Sequence, residues 1–588
     1  MSSNHNTRLI ALRSVLAAQD LDGFVVPRAD EHLGEYVPPA AERLAWLTGF
    51  TGSAGLAIVL AERAAVFSDG RYTLQLEQQT DAALWERRHL IDDKPEDWLR
   101  ANAAGKRIGY DPWLISADGL KRFTGVEMVP VAQNPIDEVW ADRPALPMAP
   151  AVPHPEEYVG EAAAAKRARL GAALREAGQD AAVLTDPASL AWLFNIRGSD
   201  VEFCPFVLGY AILYADGTAS LFMAAEKITQ DVRVHLGNEV TIAERDALPG
   251  ALAALAGKTV RYDPASMPVW FEATLQNAGV KITPGSDPVA LPRATKNVVE
   301  QAGARAAHLR DGVAMVNFLA WLAQRAPTGE ETEMSAAAKL LECREAGALF
   351  RGESFPAISG AGEDGAIIHY RVSEETNRAI KPNEVYLIDS GGQYLDGTTD
   401  ITRTVWTGPD AAPAAVKAHV TRVLAGHIAL ARTVFPEGVA GAHLDAFARQ
   451  ELWRAGLDYD HGTGHGVGSY LSVHEGPASI SRAARPVPLA AGMILSNEPG
   501  FYLPGAYGIR LENLELVQPA AFPETAKKFL RFETLTLVPF DRALIEPELL
   551  APDALSWLNA YHARVQAALA PLLPAEVKTW LEEATAPI

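Results

Sequence analysis

Three apolar runs in the second half of the chain close on a carboxylate or contain one: Glu384-Val-Tyr-Leu-Ile-Asp389, Met493-Ile-Leu-Ser-Asn-Glu498 and Gly508-Ile-Arg-Leu-Glu512-Asn-Leu-Glu-Leu-Val517. Each reads as a buried β-strand, the last with Glu512 near its middle. A carboxylate aimed into an apolar interior is expensive unless it is paired or coordinated. A fold that buries these strands must therefore bring their acids to a common counter-charge.

A fourth acid joins them. After the first strand come the turn signal Asp396-Gly397 and the β-rich run Thr398 to Trp406, which places Asp389 and Asp400 on paired antiparallel strands. In such a pair, residues i and j share a face when i + j has the parity of the register sum, and a two-residue loop makes that sum odd. Because 389 + 400 is odd, both carboxylates point to one side. A loop at Tyr394-Leu395 sets them opposite each other, a turn at Asp396-Gly397 offsets them, and local adjustment is expected at Gly391-Gly392.

The stretch His461-Gly-Thr-Gly-His465-Gly-Val-Gly-Ser-Tyr-Leu-Ser-Val-His474 spaces His461 and His465 as a helical zinc pair would be. Three glycines from Gly462 to Gly466 argue against a helix, since each costs its interior about 1 kcal/mol relative to Ala. A loop or strand edge that brings backbone close to something bound is expected instead. Four acids and a glycine-flanked histidine together suit two hard divalent cations, which need anionic oxygen ligands, some of them shared.

A chain of 588 residues exceeds what one core usually serves. Its 73 acidic against 52 basic residues leave a formal charge of −21, which disfavours nucleic acid and anionic membrane surfaces as partners. Only Cys204 and Cys343 are present, in segments expected to be separate domains, so a reducing compartment without a structural disulfide is indicated. The N-terminal MSSNHNTRLIALRSVLAAQDLDG lacks the apolar core of a signal peptide, and no run approaches a membrane span. The cytoplasm is the expected location.

Two proline-rich breaks divide the chain. Pro144 to Pro155 reads as an extended linker, and Pro288 to Pro292 leads into a helical pattern from Val298 to Gln324. The expected domains are 1–150, 151–292 and 293–588. The first two resemble each other: a helix-like run leads to Leu44-Ala45-Trp46-Leu47 in one and Leu190-Ala191-Trp192-Leu193 in the other, followed by an apolar stretch and Asp69-Gly70 or Asp216-Gly217. Alternating helical and β-rich segments predict α/β units in both, and duplication is the economical explanation.

The set Asp389, Asp400, His465, Glu498 and Glu512, in the contexts DGTTDITRT, HGTGHGVG, SNEPGFY and GIRLEN, resembles the metallopeptidases of the pita-bread fold. The long, three-domain aminopeptidase P group fits best, because the resemblance extends over the whole chain to the ending Phe532-Glu-Thr-Leu-Thr-Leu-Val-Pro539. It implies an α/β (α+β) chain with two related N-terminal domains before a pita-bread catalytic domain. It implies removal of the N-terminal residue from short peptides with proline second. By the resemblance, Asp400 and Glu512 bridge two metal ions, Asp389 chelates one, and His465 with Glu498 completes the other. Manganese suits such oxygen-rich ligation with one imidazole, and zinc or cobalt is compatible. Glu498 also relays a proton, His369, His461 and His474 match positions lining the substrate pocket, and a homodimer is implied. Arg510, two residues before Glu512 and expected on the same strand face, is a candidate for fixing a carboxylate ligand or for a plain salt bridge.

Other readings stay open. Prolidase, which cuts X-Pro dipeptides, shares the ligand set. A non-catalytic peptide-binding relative is expected to have lost ligands, and none is missing. A two-metal phosphoesterase would need a basic phosphate clamp, and none is obvious.

Overall fold

The computed structural model describes residues 2–588. Two compact units emerge: one comprises the chain through Glu156 and Glu161–Ala290, the other Glu157–Gly160 and Leu291–Ile588.

The first unit holds two six-stranded sheets of identical topology. In spatial order the first runs Glu86–His89, Ala64–Ser68, Leu56–Leu60, Gly23–Pro27, Arg107–Tyr110, Glu127–Pro130. The second runs Val240–Ala243, Ala219–Phe222, Tyr210–Tyr214, Ala181–Leu184, Thr259–Tyr262, Lys281–Pro284. In both, the three consecutive central strands pair antiparallel and the outer ones join in parallel. Alternate residues of the first sheet enter separate apolar clusters, Phe24, Val26 and Val59 in one, Val25, Ile58 and Phe67 in the other, so both faces are covered.

The repeat extends to side chains. Arg8 donates to the Trp46 carbonyl at 2.6 Å with its guanidinium 4.6 Å from that ring. Lys166 donates to the Trp192 carbonyl at 3.0 Å with its ammonium 4.0 Å from that ring. The cations come from the helices Ser2–Ala18 and Ala163–Glu176, and each meets carbonyls near the C-terminus of a short helix, Arg43–Thr48 or Pro187–Phe194, where positive charge is favoured.

The proline-rich breaks differ from expectation. Residues 143–150 carry no regular secondary structure and are largely exposed, but Val152–Pro153 pairs with Ile196–Arg197. At Pro288 to Pro292, where the two units divide, Val289 is buried and a short helix, Ala290–Ala294, begins. The apolar neighbours there outweigh the prolines, one of which sits in the first turn of that helix, where a missing N–H costs nothing.

In the second unit the helix Val298–Arg325 starts at a capping box between Asn297 and Glu300. Two antiparallel sheets matter to the site: Ile358–Ala361, Val385–Ser390, Ile401–Trp406, and Val434–Pro436, Phe529–Thr534, Asn513–Ala520, Ile494–Asn497. Tyr386, Ile388 and Ile401 pack into a core with Met315, Phe318 and Leu340 from two helices. Strand alternation then turns Asp389 to the opposite face. Cys204 and Cys343 form no disulfide. Among the described residues, no helix is long and apolar enough to cross a membrane.

Candidate metal centre

Asp389 lies opposite Thr402 in the register of strands Val385–Ser390 and Ile401–Trp406. The same register continues through Gln393↔Thr398 and Tyr394↔Gly397, so the two-residue loop is Leu395-Asp396, between the two alternatives the sequence offered. Asp389 and Asp400 therefore share a face, offset by one pleat repeat, as parity requires. Gly391 lets the hairpin pass Ser354: a Cβ there would stand 2.0 Å from the Thr399 carbonyl and 2.1 Å from Ser354 Oγ.

The other ligand-type residues sit at interruptions. Asp400 immediately precedes its strand, Glu498 follows Ile494–Asn497, and Glu512 falls between Tyr507–Arg510 and Asn513–Ala520 rather than in mid-strand. The run from Gly508 to Val517 is thus two strands. The break lets the Glu512 amide donate to the Thr402 carbonyl at 3.1 Å while its carboxylate accepts from Thr402 Oγ1 at 2.8 Å.

The histidine stretch is the expected strand edge, with Gly464–His465 pairing to Ser479–Ile480. A Cβ on Gly464 would stand 1.9 Å from the Ser496 carbonyl, and one on Gly466 2.1 Å from that of Glu475, so close approach requires both glycines. His465 Nδ1 faces the Gly466 carbonyl at 3.0 Å, and Nε2 lies 3.4 Å from both Asp400 Oδ2 and Glu498 Oε1. Ligating atoms of Asp400, His465 and Glu512 lie within 4.8 Å of one another. Atoms about 2.0–2.2 Å from one ion are spaced in this way.

Electrostatics point the same direction. Burial pushes Asp389 up to about 6, with Asp400 and Glu498 adding to it against the pull of Arg510. Burial, then the carboxylates of Asp400, Glu498 and Asp389, push Glu512 well above the usual range. Burial disfavours a charged His465, yet its hydrogen bond to Asp400 and the nearby Glu498 raise it to about 9. Four acids crowd together against one arginine and one imidazole, and Asp389 Oδ1 is buried without a hydrogen-bond donor. Divalent cations relieve that excess of negative charge, so the residues present fit a metal centre.

Arg510 is buried beside them. It donates from Nη2 to Asp389 Oδ2 at 2.7 Å, from Nη1 to Tyr502 Oη at 2.8 Å and to the Ile368 carbonyl at 3.2 Å, and from Nε to Thr402 Oγ1 at 3.2 Å. Tyr502 in turn meets His461 Nε2 at 2.8 Å, and His461 Nδ1 meets the Gly462 carbonyl at 2.8 Å. The Gly462 carbonyl can only accept, so His461 carries a proton on Nδ1 and turns Nε2 to the Tyr502 hydroxyl. The half-buried ring of His474 lies 4.3 Å from that of His465. His369 is half-buried, joined to the centre through the carbonyl of Ile368.

Thr402, Tyr502 and Ser496 escaped the sequence reading. Ser496 Oγ accepts from the His465 amide at 2.9 Å and donates to Glu498 Oε1 at 3.1 Å. Thr402 was legible in principle, being two residues beyond Asp400 on the same strand face. Tyr502 ends the motif SNEPGFY, but nothing in that motif shows that it meets a histidine 41 residues away.

Residues 302–519 match metallopeptidase family M24 and residues 528–588 the C-terminal region of peptidase M24. Residues 8–139 and 142–300 each match the creatinase/prolidase N-terminal domain. The chain is 38% identical to aminopeptidase P1 of Lotus japonicus, over 99% of each chain. It is 40% identical to a probable Xaa-Pro aminopeptidase P of Aspergillus fumigatus, over 100% of this chain and 93% of the other. Among solved structures, the X-prolyl aminopeptidase of Caenorhabditis elegans, described as a cytosolic enzyme with a di-nuclear active site, matches with a TM-score of 0.94 at 34% identity, covering 99% of this chain and 100% of that one. With that likeness running the length of the chain, and with a pita-bread domain after two related α/β domains, the chain belongs to the aminopeptidase P group of metallopeptidase family M24.

Proposed function

We propose that the protein is a metal-dependent Xaa-Pro aminopeptidase that releases the N-terminal residue from short peptides with proline in second position. The observation that carries this reading is the convergence of Asp389, Asp400, His465, Glu498 and Glu512 with Arg510 braced against Asp389. In this reading Asp389, Asp400, His465, Glu498 and Glu512 would hold two divalent ions, with Asp400 and Glu512 as the ligands the two sites would have in common. Bound there, the ions supply Lewis-acid polarisation of the scissile carbonyl and a water acidified enough to attack near neutral pH.

The chain's own groups do the rest. Ser496 holds Glu498 Oε1, which is placed to take a proton from the attacking water. The X-Pro bond is a tertiary amide and offers no N–H, so recognition falls to groups around the proline ring: His369, His461 and His474. The proline nitrogen leaves as a secondary amine and needs a proton, a role assigned to the His369 imidazole. Tyr502 keeps the His461 ring in place.

Manganese is the proposed ion, on the oxygen-rich donor set with its single imidazole. The proposed compartment is the cytoplasm, supported by two cysteines that form no disulfide and a relative described as cytosolic. The proposed assembly is a homodimer, and the proposed domains are 1–150, 151–292 and 293–588.

The test compares kcat/KM for an X-Pro dipeptide with that for the same peptide extended by two residues, with metal content measured alongside. A dipeptidase caps the carboxylate directly after proline, and a buried cap left facing a longer peptide would lose its partner. Cleavage of the extended peptide with poor cleavage of the dipeptide is expected. A strong dipeptide preference points to prolidase instead, and hydrolysis of neither points to a binding protein.

A further inference from the structure

Glu333 opens the helix Glu333–Glu345 and is fully buried. Its carboxyl group accepts from the Ala361 amide at 2.8 Å, the Tyr370 hydroxyl at 3.0 Å and the Arg378 amide at 3.4 Å. Its carbonyl accepts from Ser359 Oγ at 2.7 Å, and its amide donates to the Arg378 carbonyl at 3.1 Å. One residue thus holds both ends and the middle of the arm that carries His369.

His369 stands between two anchors. On one side the Ile368 carbonyl receives Arg510 Nη1, and on the other the Tyr370 hydroxyl reaches Glu333. The arm also lies directly on the strand that ends in Arg510, since a Cβ on Gly508 would stand 1.7 Å from the Gly365 carbonyl.

The Asp364 carboxyl lies beside Glu333 and Tyr370 in the same cluster. Burial, with Asp364 nearby, pushes Glu333 up to about 7, and burial raises Asp364 as well. The other groups around them are Arg378, which donates to the Ala361 carbonyl at 2.5 Å and to Glu384 at 3.1 Å, Tyr386, which meets Ser359 Oγ at 2.6 Å, and Glu363 beside Asp364.

We propose that Glu333 is a positioning residue for His369: through the Ala361 amide, the Tyr370 hydroxyl and the Arg378 amide it clamps the arm 361–378 beside the metal centre. The proposal rests on the reading of His369 as a pocket residue. A loosened clamp displaces His369 and leaves the five ligand side chains in place, so turnover falls while metal content holds.

The experiment uses the metal-loaded full chain, as wild type, Glu333→Gln, Glu333→Ala and Tyr370→Phe, each alone and combined with His369→Ala. It records kcat and KM from about pH 6 to 9, metal content, and hydrogen exchange over residues 361–378. Glu333→Ala and Tyr370→Phe are expected to lower kcat about tenfold or more, with a smaller change in KM, and to speed exchange in the arm without loss of metal. Glu333→Gln keeps a carbonyl acceptor for the Ala361 amide, so it recovers part of the kcat that Glu333→Ala loses. With His369→Ala present, the clamp variants cost nothing further. Additive losses in that background, or metal lost in step with activity, overturn the positioning role. If His369→Ala alone leaves turnover unchanged, the pocket reading of His369 falls, and this proposal with it.

Discussion

Arg510 donates through Nη2 to Asp389 Oδ2 at 2.7 Å, and both residues are buried. The guanidinium is a planar fork that also holds Tyr502 and Thr402, so it fixes a carboxylate and the partner of His461 together. Arg510→Met should weaken metal binding and lower kcat/KM by about 10–100-fold, as loss of an outer partner of a metal ligand commonly does. Arg510→Lys should recover only a fraction, because one ammonium cannot reach Asp389, Tyr502 and Thr402 at once. Full recovery by lysine would reduce the role of Arg510 to charge alone.

Asp400→Asn removes a charge from the proposed shared ligand. Both ions should be lost together and turnover abolished, with the fold of the apoprotein retained by circular dichroism. His461→Ala should lower turnover with near-normal metal content, since its ring bonds to Tyr502 and the Gly462 carbonyl. An Asp400→Asn protein that keeps two ions per chain by elemental analysis, and ordinary activity, refutes the ligand assignment.

Glu515 carries a pH signature outside the metal centre. Burial pushes it up to about 8, with hydrogen bonds to Thr534 and Asn497 pulling the other way. The folded chain therefore retains a proton that the unfolded chain releases near pH 4.5, so this group's contribution to stability declines as pH rises from about 4.5 to 8. Glu515→Gln removes that decline. Urea midpoints at about pH 5 and 8 should show the variant gaining on the wild type at the higher pH by more than about 1 kcal/mol. Parallel behaviour of the two proteins would place an ionised Glu515 in the fold at neutral pH.

Limited proteolysis should cut first within residues 143–150, which lack regular secondary structure and are mostly exposed. Pro288 to Pro292, with Val289 buried and a helix starting at Ala290, should resist. Early cleavage within residues 340–520 would count against the proposed division into domains.

Much of the site was legible because catalytic chemistry constrains residue type. Asp389, Asp400, Glu498 and Glu512 stood out as acids in apolar runs, and the parity of the Asp389–Asp400 pair followed from a two-residue loop without knowing its position. The loop position was not legible, since two glycines and Asp396-Gly397 allow neighbouring registers. Packing of Ser354 against Gly391 and of Gly397 against the helix Val298–Arg325 distinguishes them.

The sequence by itself determined the order of domains, the strand character of the acid-bearing runs and the non-helical histidine stretch, because periodicity, glycine and buried charge are local signals. Only the tertiary structure decided where the strands break, that Glu512 turns to Thr402 at such a break, and that Arg510, Tyr502 and His461 form one chain of hydrogen bonds. Glu333 likewise carries no motif, and only folding buries it against the Ala361 amide, the Tyr370 hydroxyl and the Arg378 amide of the arm that carries His369. Interactions between side chains far apart in sequence depend on how helices and sheets pack, and packing follows from the whole set of apolar contacts, which no short motif contains.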